Sequence, residues 1–385
     1  AGASGQSAAL LAHHLNYEIF ISDSGKIPEN FKKWLLSNNI SFEENKHSIE
    51  KIRECDLIIK SPGISPSLPV FQHLDKNRII GEIEFASWFS KGKIIAITGT
   101  IGKSTLTALT AELLQKSGLK AIPTGNYDLS VPFSSAILID NSESTFFVVE
   151  VSSFQLEDTR YFKPYIAILT NIYPNHLDRY KTFQEYVNAK MRLFMNDVEL
   201  GAIVNSSNLT IKKIKMPPVK NLVRLFPDEN EKNLNEVITA ALIETATFLN
   251  IPQKIVTDFI SHIYGSPLNH RLQKVSTIAS ITFINDSKAT IPWATYHTIS
   301  SINSKNIWLI MGGKLDTYMD YSILAPLIRE KVKGIFLTGE NRHFIYEALK
   351  SISKEFLVSF AQSLEDAVSM AFSEATAGDV ILFSP

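Results

Sequence analysis

Cysteine is almost absent from the chain. Cys55 stands alone among 385 residues, so no intrachain disulfide framework can form and a reducing compartment is expected. Excess charge is missing too: 38 Lys and Arg face 39 Asp and Glu, a formal net charge of -1. That leaves no basic field to wrap a phosphate backbone, and nucleic acid is not an expected partner. Long apolar runs are lacking, none approaching the roughly 18 residues of a bilayer-spanning helix. The N-terminus has no charged segment followed by an apolar one, so no secretory leader is expected. With 45% hydrophobic and 20% charged residues, the chain reads as a globular, cytoplasmic protein too long for one ordinary core.

What is present is alternation. Short apolar runs at 18–22, 56–60, 93–98, 145–151, 165–172, 281–286, 306–313, 333–339 and 379–384 are separated by amphipathic stretches. One such stretch is 105–117, with Leu106, Leu109, Leu113 and Leu114 on one face. This is the pattern of an α/β protein built on parallel sheets. Polar breaks near Ser90-Lys91-Gly92 and Gly265-Ser266-Pro267 predict three domains, 1–91, 92–267 and 268–385. Residues 206–235, with Lys-rich and Pro-rich stretches, give little to read. The opening "AGASGQSAALLAHHL" enters a helix from a glycine turn with no strand before it. At the other end "GDVILFSP" stops where a parallel strand would pass into a functional loop. Both ends are therefore expected to be trimmed.

The stretch "IIAITGTIGKSTLTALTAELL" (94–114) places a glycine-bearing turn between an apolar strand and a helix. Backbone N–H groups and a helix N-terminus would face an anion there. Gly99 and Gly102 permit the tight path through Thr100 and Ile101, Lys103 reaches the outer phosphates, and Ser104 or Thr105 ligates magnesium. The general G-x-x-x-x-G-K-[ST] spacing would need glycine at Ile97, so the order of strand, turn and helix carries the reading. Glu150 follows the apolar "TFFVV" at a strand exit, where an acid is costly unless paired or bound to a metal. "YIAILTNI" runs into "YPNHLDRY", placing His176 and Asp178 past another strand end, and Lys190 follows in "FQEYVNAKMRLF". Singly, His176 reads as an ordinary histidine and Lys190 as a solvated helix face.

Taken together, "TGTIGKST", "EVSSFQLE", "NHLDRY", "NAK", "LNHR", "NDSKAT" and the closing "SP" resemble the Mur ligases over nearly the whole chain. Within that family they are most similar to the branch that adds D-glutamate, with "SSFQLE" and "NDSKAT" the discriminating motifs. The resemblance implies three domains: Rossmann-like, central P-loop ATPase-type with a mostly parallel sheet, and Rossmann-like α/β again. It implies an ATP-dependent amide ligase, working as a monomer on UDP-N-acetylmuramoyl-L-alanine and D-glutamate through an acyl phosphate. Two magnesium sites are implied, one at Ser104 and Glu150, the other at His176 with Lys190 as a carbamate. Lys103 joins these as a catalytic group. Asn233, Arg271 and Asp286 would reach ATP. Ser4, Gly5, Asp23, Ser24, Ser61, Gly63, Asn126, Ser152, Gln155 and His270 would line the nucleotide-sugar substrate, with Lys288 and Thr290 near the amino acid.

Several positions depart from the family pattern. Asn175 stands where an aspartate is expected beside His176, "GNYDLSVP" replaces "GNIG", and Asn233 is paired with Glu236 rather than asparagine. Nothing follows "SP", where the family continues with a serine and an aromatic. A catalytically impaired nucleotide-sugar-binding relative, a sister ligase with another amino acid and a phosphate-loop ATPase driving motion stay open as alternatives.

Overall fold

The computed structural model describes residues 1–65, 68–72, 74–126, 131–263, 272–353 and 355–385. The chain divides into two units: Ala1–Ile172 with Gln184–Asn230 and Ala240–Val256, and Tyr173–Phe183 with Glu231–Thr239 and Thr257–Pro385. Every apolar run read from the sequence holds a strand.

The first unit opens with two parallel pairs, β1 (Phe20–Ser22) with β2 (Ser41–Glu43) and β3 (Ile58–Lys60) with β4 (Ile79–Gly81). A six-stranded parallel sheet follows: β5 (Lys93–Thr98), β6 (Lys120–Gly125), β7 (Thr145–Glu150), β8 (Ile166–Leu169), β9 (Gly201–Asn205) and β10 (Leu222–Leu225). Their order is β10-β9-β8-β5-β7-β6. Strands covered on both faces read as continuous apolar runs, and β7, TFFVVE, is buried along its whole length. Register pairs Ile97 with Glu150 and Thr98 with Leu169, so the segments leaving β5, β7 and β8 meet at one edge. Chain direction diverges there, the usual ligand position in an open α/β sheet.

The N-terminal segment is tied to this sheet through acids of the helix Glu82–Phe89. Glu84 accepts backbone N–H bonds from Arg160, Tyr161 and Phe162 at 2.8–2.9 Å and the Trp88 indole N–H at 2.8 Å. Glu82 accepts the Ser134 N–H at 2.5 Å, while its other carboxylate oxygen is buried without a partner among the described residues. Burial pushes the Glu82 pKa up from 4.5 to about 7, against the Ser134 hydrogen bond. Between those values the folded protein keeps a proton that the unfolded chain has lost, so stability falls as pH rises through this window. Glu82→Gln should therefore gain on the parent by about 3 kcal/mol between about pH 5 and about pH 8, read by denaturant melts. A stability difference independent of pH would contradict this.

The second unit holds a sheet of order β11-β12-β16-β13-β14-β15. Its strands are β11 (Gln273–Ile278), β12 (Ile281–Asn285), β13 (Ile307–Met311), β14 (Val332–Leu337), β15 (Leu357–Phe360) and β16 (Val380–Phe383). Only the β11–β12 pair is antiparallel. Along β13 the side chains alternate between two cores, Leu309 and Met311 joining Leu324 and Leu337, and Trp308 and Ile310 joining Phe336 and Ile381.

Candidate phosphate and metal site

The loop leaving β5 is built against the end of β8. A side-chain Cβ at Gly99 would lie 2.0 Å from the Thr170 hydroxyl, so only glycine lets the loop approach this closely. Asn171 then forks into the loop. Its carbonyl oxygen accepts the N–H groups of Thr100 and Ile101 at 3.0 and 2.9 Å, and its amide donates to Ile101 O at 3.0 Å. Thr170 Oγ1 donates to the same Ile101 carbonyl at 3.1 Å. Gly102 turns the chain with φ 81°, and the helix Lys103–Lys116 begins at the next residue. Its first-turn N–H groups are thereby directed at the loop, with Ser104 and Thr105 in that turn. Lys103 Nζ donates to Thr100 O at 3.1 Å.

Glu150 ends β7 in a buried position. The Asn126 N–H donates to its backbone carbonyl at 2.9 Å, and the Asn126 amide stands 3.5 Å from Oε1. Oε2 is buried with no hydrogen-bond partner among the described residues. A carboxylate oxygen held dry and unpaired is costly, and a hard cation that prefers oxygen ligands removes the cost. The buried Glu150 oxygen thus suits a magnesium ion.

Lys190 is not the solvated helix face its isolated sequence suggests. It is 1% exposed, on the helix Phe183–Met191, and its Nζ donates to Gly99 O at 2.7 Å. The ammonium position also lies 4.8 Å from the centre of the Tyr186 ring. Burial, then repulsion from Lys103, holds its pKa well below the ordinary lysine value, with Glu150 pulling the other way. The balance disfavours the ammonium form.

Lys103, Asn126, Glu150 and Lys190 therefore share the sheet edge of the first unit. His176 belongs to the second unit, on an exposed turn with φ 56°, its N–H donating to Asn175 Oδ1 at 2.8 Å. In the same unit Asn233 and Glu236 exchange side-chain bonds with each other's N–H at 3.0 Å, a reciprocal helix cap in which glutamate serves where asparagine was expected. Asp286 is buried, accepting from Leu272 N–H at 3.1 Å and Thr298 Oγ1 at 2.5 Å, whereas Lys288 and Thr290 are exposed. His270 and Arg271, like Tyr127, Asp128, Leu129 and Ser130 of the altered "GNYDLSVP" stretch, lie outside the described residues.

The nucleotide-sugar candidates need one correction. Ser4 and Gly5 are not in a turn but in the first turn of the helix Ala3–His14, whose Gln6 N–H already bonds to Gly2 O at 3.0 Å. Asp23 and exposed Ser24 follow β1, with Asp23 Oδ1 accepting the Gly25 N–H at 2.8 Å. Ser61 and Gly63 follow β3, and a Cβ on Gly5 would meet Ser61 Oγ at 3.5 Å. Ser152 and Gln155 form a capping box on the helix Ser153–Glu157.

Sequence reading missed Asn171 and Tyr186. The only signal was the "TN" closing "YIAILTNI", and a polar pair at a buried strand end deserved weight. Tyr186 OH lies 3.1 Å from Thr100 Oγ1, and burial pushes its pKa up. Asn171→Asp keeps the two acceptor bonds but loses the donor to Ile101 O and adds negative charge beneath the loop. It should weaken ATP binding about tenfold by calorimetry. Unchanged affinity would remove Asn171 from the account.

An edge of this kind belongs to the phosphate-loop class of nucleotide-binding α/β proteins. Family profiles match along most of the chain: the MurD N-terminal domain at residues 4–70, the Mur ligase middle domain at 97–266 and the Mur ligase, glutamate ligase domain at 270–385. The UDP-N-acetylmuramoylalanine–D-glutamate ligase of Christiangramia forsetii is 33% identical over 425 residues, covering 100% of this chain and 92% of that protein. Its counterpart in Bacteroides fragilis is 30% identical over 420 residues, covering 100% and 93%. Among solved structures, MurF from Acinetobacter baumannii shares the fold at a TM-score of 0.62 and 11% identity, covering 98% of this chain and 94% of that one. The chain belongs to the Mur ligase family, a family of ATP-dependent ligases.

Proposed function

We propose that this ligase joins D-glutamate to UDP-N-acetylmuramoyl-L-alanine in cytoplasmic peptidoglycan synthesis. The observation that carries the reading is full-length similarity to relatives of that name, together with a phosphate loop whose Gly99 carbonyl accepts from a buried lysine whose charged form is disfavoured. Residues 1–91 would hold the nucleotide sugar, 92–267 ATP, and 268–385 the amino acid. Loop N–H groups and Lys103 would orient the triphosphate. A carboxylate oxygen of the alanyl substrate attacks the γ-phosphorus and ADP leaves. The amine of D-glutamate then attacks the acyl carbon of the mixed anhydride, and the tetrahedral adduct collapses by expelling phosphate.

Magnesium, when bound, supplies positive charge that lets triphosphate and carboxylate approach one another. Ser104 and Glu150 would hold one ion, and His176 with carbamylated Lys190 a second. Lys190 suits the carbamate role because a neutral amine adds carbon dioxide and an ammonium does not. Asn126 would fix Glu150, Asn233, Arg271 and Asp286 would serve ATP, and Lys288 and Thr290 would lie near the amino acid.

One observation favours a second reading, a nucleotide-sugar-binding relative with impaired catalysis: Asn175 replaces a carboxylate beside His176, and its Oδ1 is engaged by the His176 N–H. Phosphate release separates the two. The protein, ATP, magnesium and UDP-N-acetylmuramoyl-L-alanine are mixed with each of several amino acids. Release only with D-glutamate is the expected result. Binding of the nucleotide sugar without release would favour the impaired relative, and release without any acceptor would point to a simple ATPase.

A further inference from the structure

Lys60, the first residue of "KSPGI", is a buried lysine that the phosphate site does not use. Its Nζ lies 2.7 Å from the Asp158 carboxylate and donates to Ile64 O at 3.0 Å. Between those anchors the loop makes a turn of its own, Ile64 N–H donating to Ser61 O at 3.0 Å. One ammonium thus joins the end of β3, the far side of the loop and a carboxylate from the sequence-distant 153–158 segment.

Asp158 is itself firmly placed. It ends the helix Ser153–Glu157, and its backbone carbonyl accepts the Gly81 N–H at 2.9 Å from the end of β4. Arg192 holds the same segment, Nε donating to Leu156 O at 2.7 Å and the guanidinium reaching Thr159 O. The helix begins at the Ser152–Gln155 box, two residues after Glu150. A continuous line of packed backbone therefore runs from the candidate metal ligand to the loop carrying Ser61 and Gly63.

We propose that Lys60 is a positioning residue: its ion pair with Asp158 sets the conformation of loop 61–64 for the nucleotide-sugar substrate. The inference rests on the reading that Ser61 and Gly63 line that substrate. Two of the ammonium's three donors are committed within the protein and the group is buried, so it acts through the loop rather than by touching the ligand. A buried charge stripped of its partner is strongly unfavourable, so the pair holds only one loop geometry at low cost.

The test uses Lys60→Met, which keeps the apolar stem, and the double variant Lys60→Met/Asp158→Asn, which leaves no orphan charge. Both should raise KM for UDP-N-acetylmuramoyl-L-alanine about tenfold while leaving KM for ATP unchanged. The Ile64 amide, whose bond closes the turn, should exchange with deuterium about tenfold faster in both, while amides of the β5–β8 core keep their protection. A double variant with parental KM and parental Ile64 exchange would overturn the proposal, as would equal losses for ATP and nucleotide sugar. If the parent protein itself fails to bind the nucleotide sugar, the functional reading falls, and Ile64 exchange alone decides whether Lys60 orders the loop.

Discussion

Lys190→Ala should cost about a thousandfold in turnover and regain part of it when acetate or formate is added. The side chain is buried and donates to the Gly99 carbonyl at 2.7 Å, with burial and Lys103 both opposing a positive charge. Such a lysine gains little from being an ammonium. As a carbamate it would become an oxygen donor beside the phosphate loop. Alanine leaves a cavity the size of that side chain, and a small carboxylate diffusing into it returns the oxygen atoms without the tether. A variant with parental turnover would end the carbamate assignment. A variant without activity that carboxylates do not rescue would keep Lys190 essential but give it another role.

Glu150→Gln should lower turnover by at least about a hundredfold and raise the magnesium concentration needed for half-maximal rate. The amide keeps the size of the side chain at the β7 exit, so the fold and the Asn126 contact to the Glu150 carbonyl survive. What disappears is the negative charge on a buried oxygen that has no hydrogen-bond partner among the described residues. Thermal melting of the metal-free variant close to that of the parent would show that the loss is functional. An unchanged magnesium dependence would remove Glu150 as a ligand.

Strands of the parallel sheets were legible because burial on both faces forces long apolar runs: β5 spans Lys93–Thr98 as read. The fully buried β9, GAIVN, escaped nonetheless, and two other strands that escaped have a diluted apolar signal. In β6, Lys120–Gly125, a proline sits inside the strand, and β10, Leu222–Leu225, carries an arginine at the sheet edge. β11 escaped because its hairpin to β12 turns through Ala279 and Ser280, both with positive φ, without the glycine or asparagine that announces such a turn. At the site, the loop glycines, Lys103 and Glu150 were visible from local order alone. Lys190 was not, because a helix position gives no hint that the helix presses against a loop ninety residues earlier in the chain. Its significance came from family resemblance, and its burial from the fold. Lys60 was invisible for the same reason, and Asn171 showed only as the polar end of an apolar run: each matters through a partner remote in sequence, Asn171 to Ile101 and Lys60 to Asp158.

The proposed mechanism depends on how the phosphate is used. Its most direct test is turnover of UDP-N-acetylmuramoyl-L-alanine labelled with oxygen-18 in the alanyl carboxylate, in the presence of ATP, magnesium and D-glutamate. If the carboxylate is phosphorylated and the amine then displaces phosphate, each released phosphate carries one labelled oxygen. Unlabelled phosphate alongside amide product would show that the carboxylate never bonded to phosphorus, contradicting the mechanism at its first step.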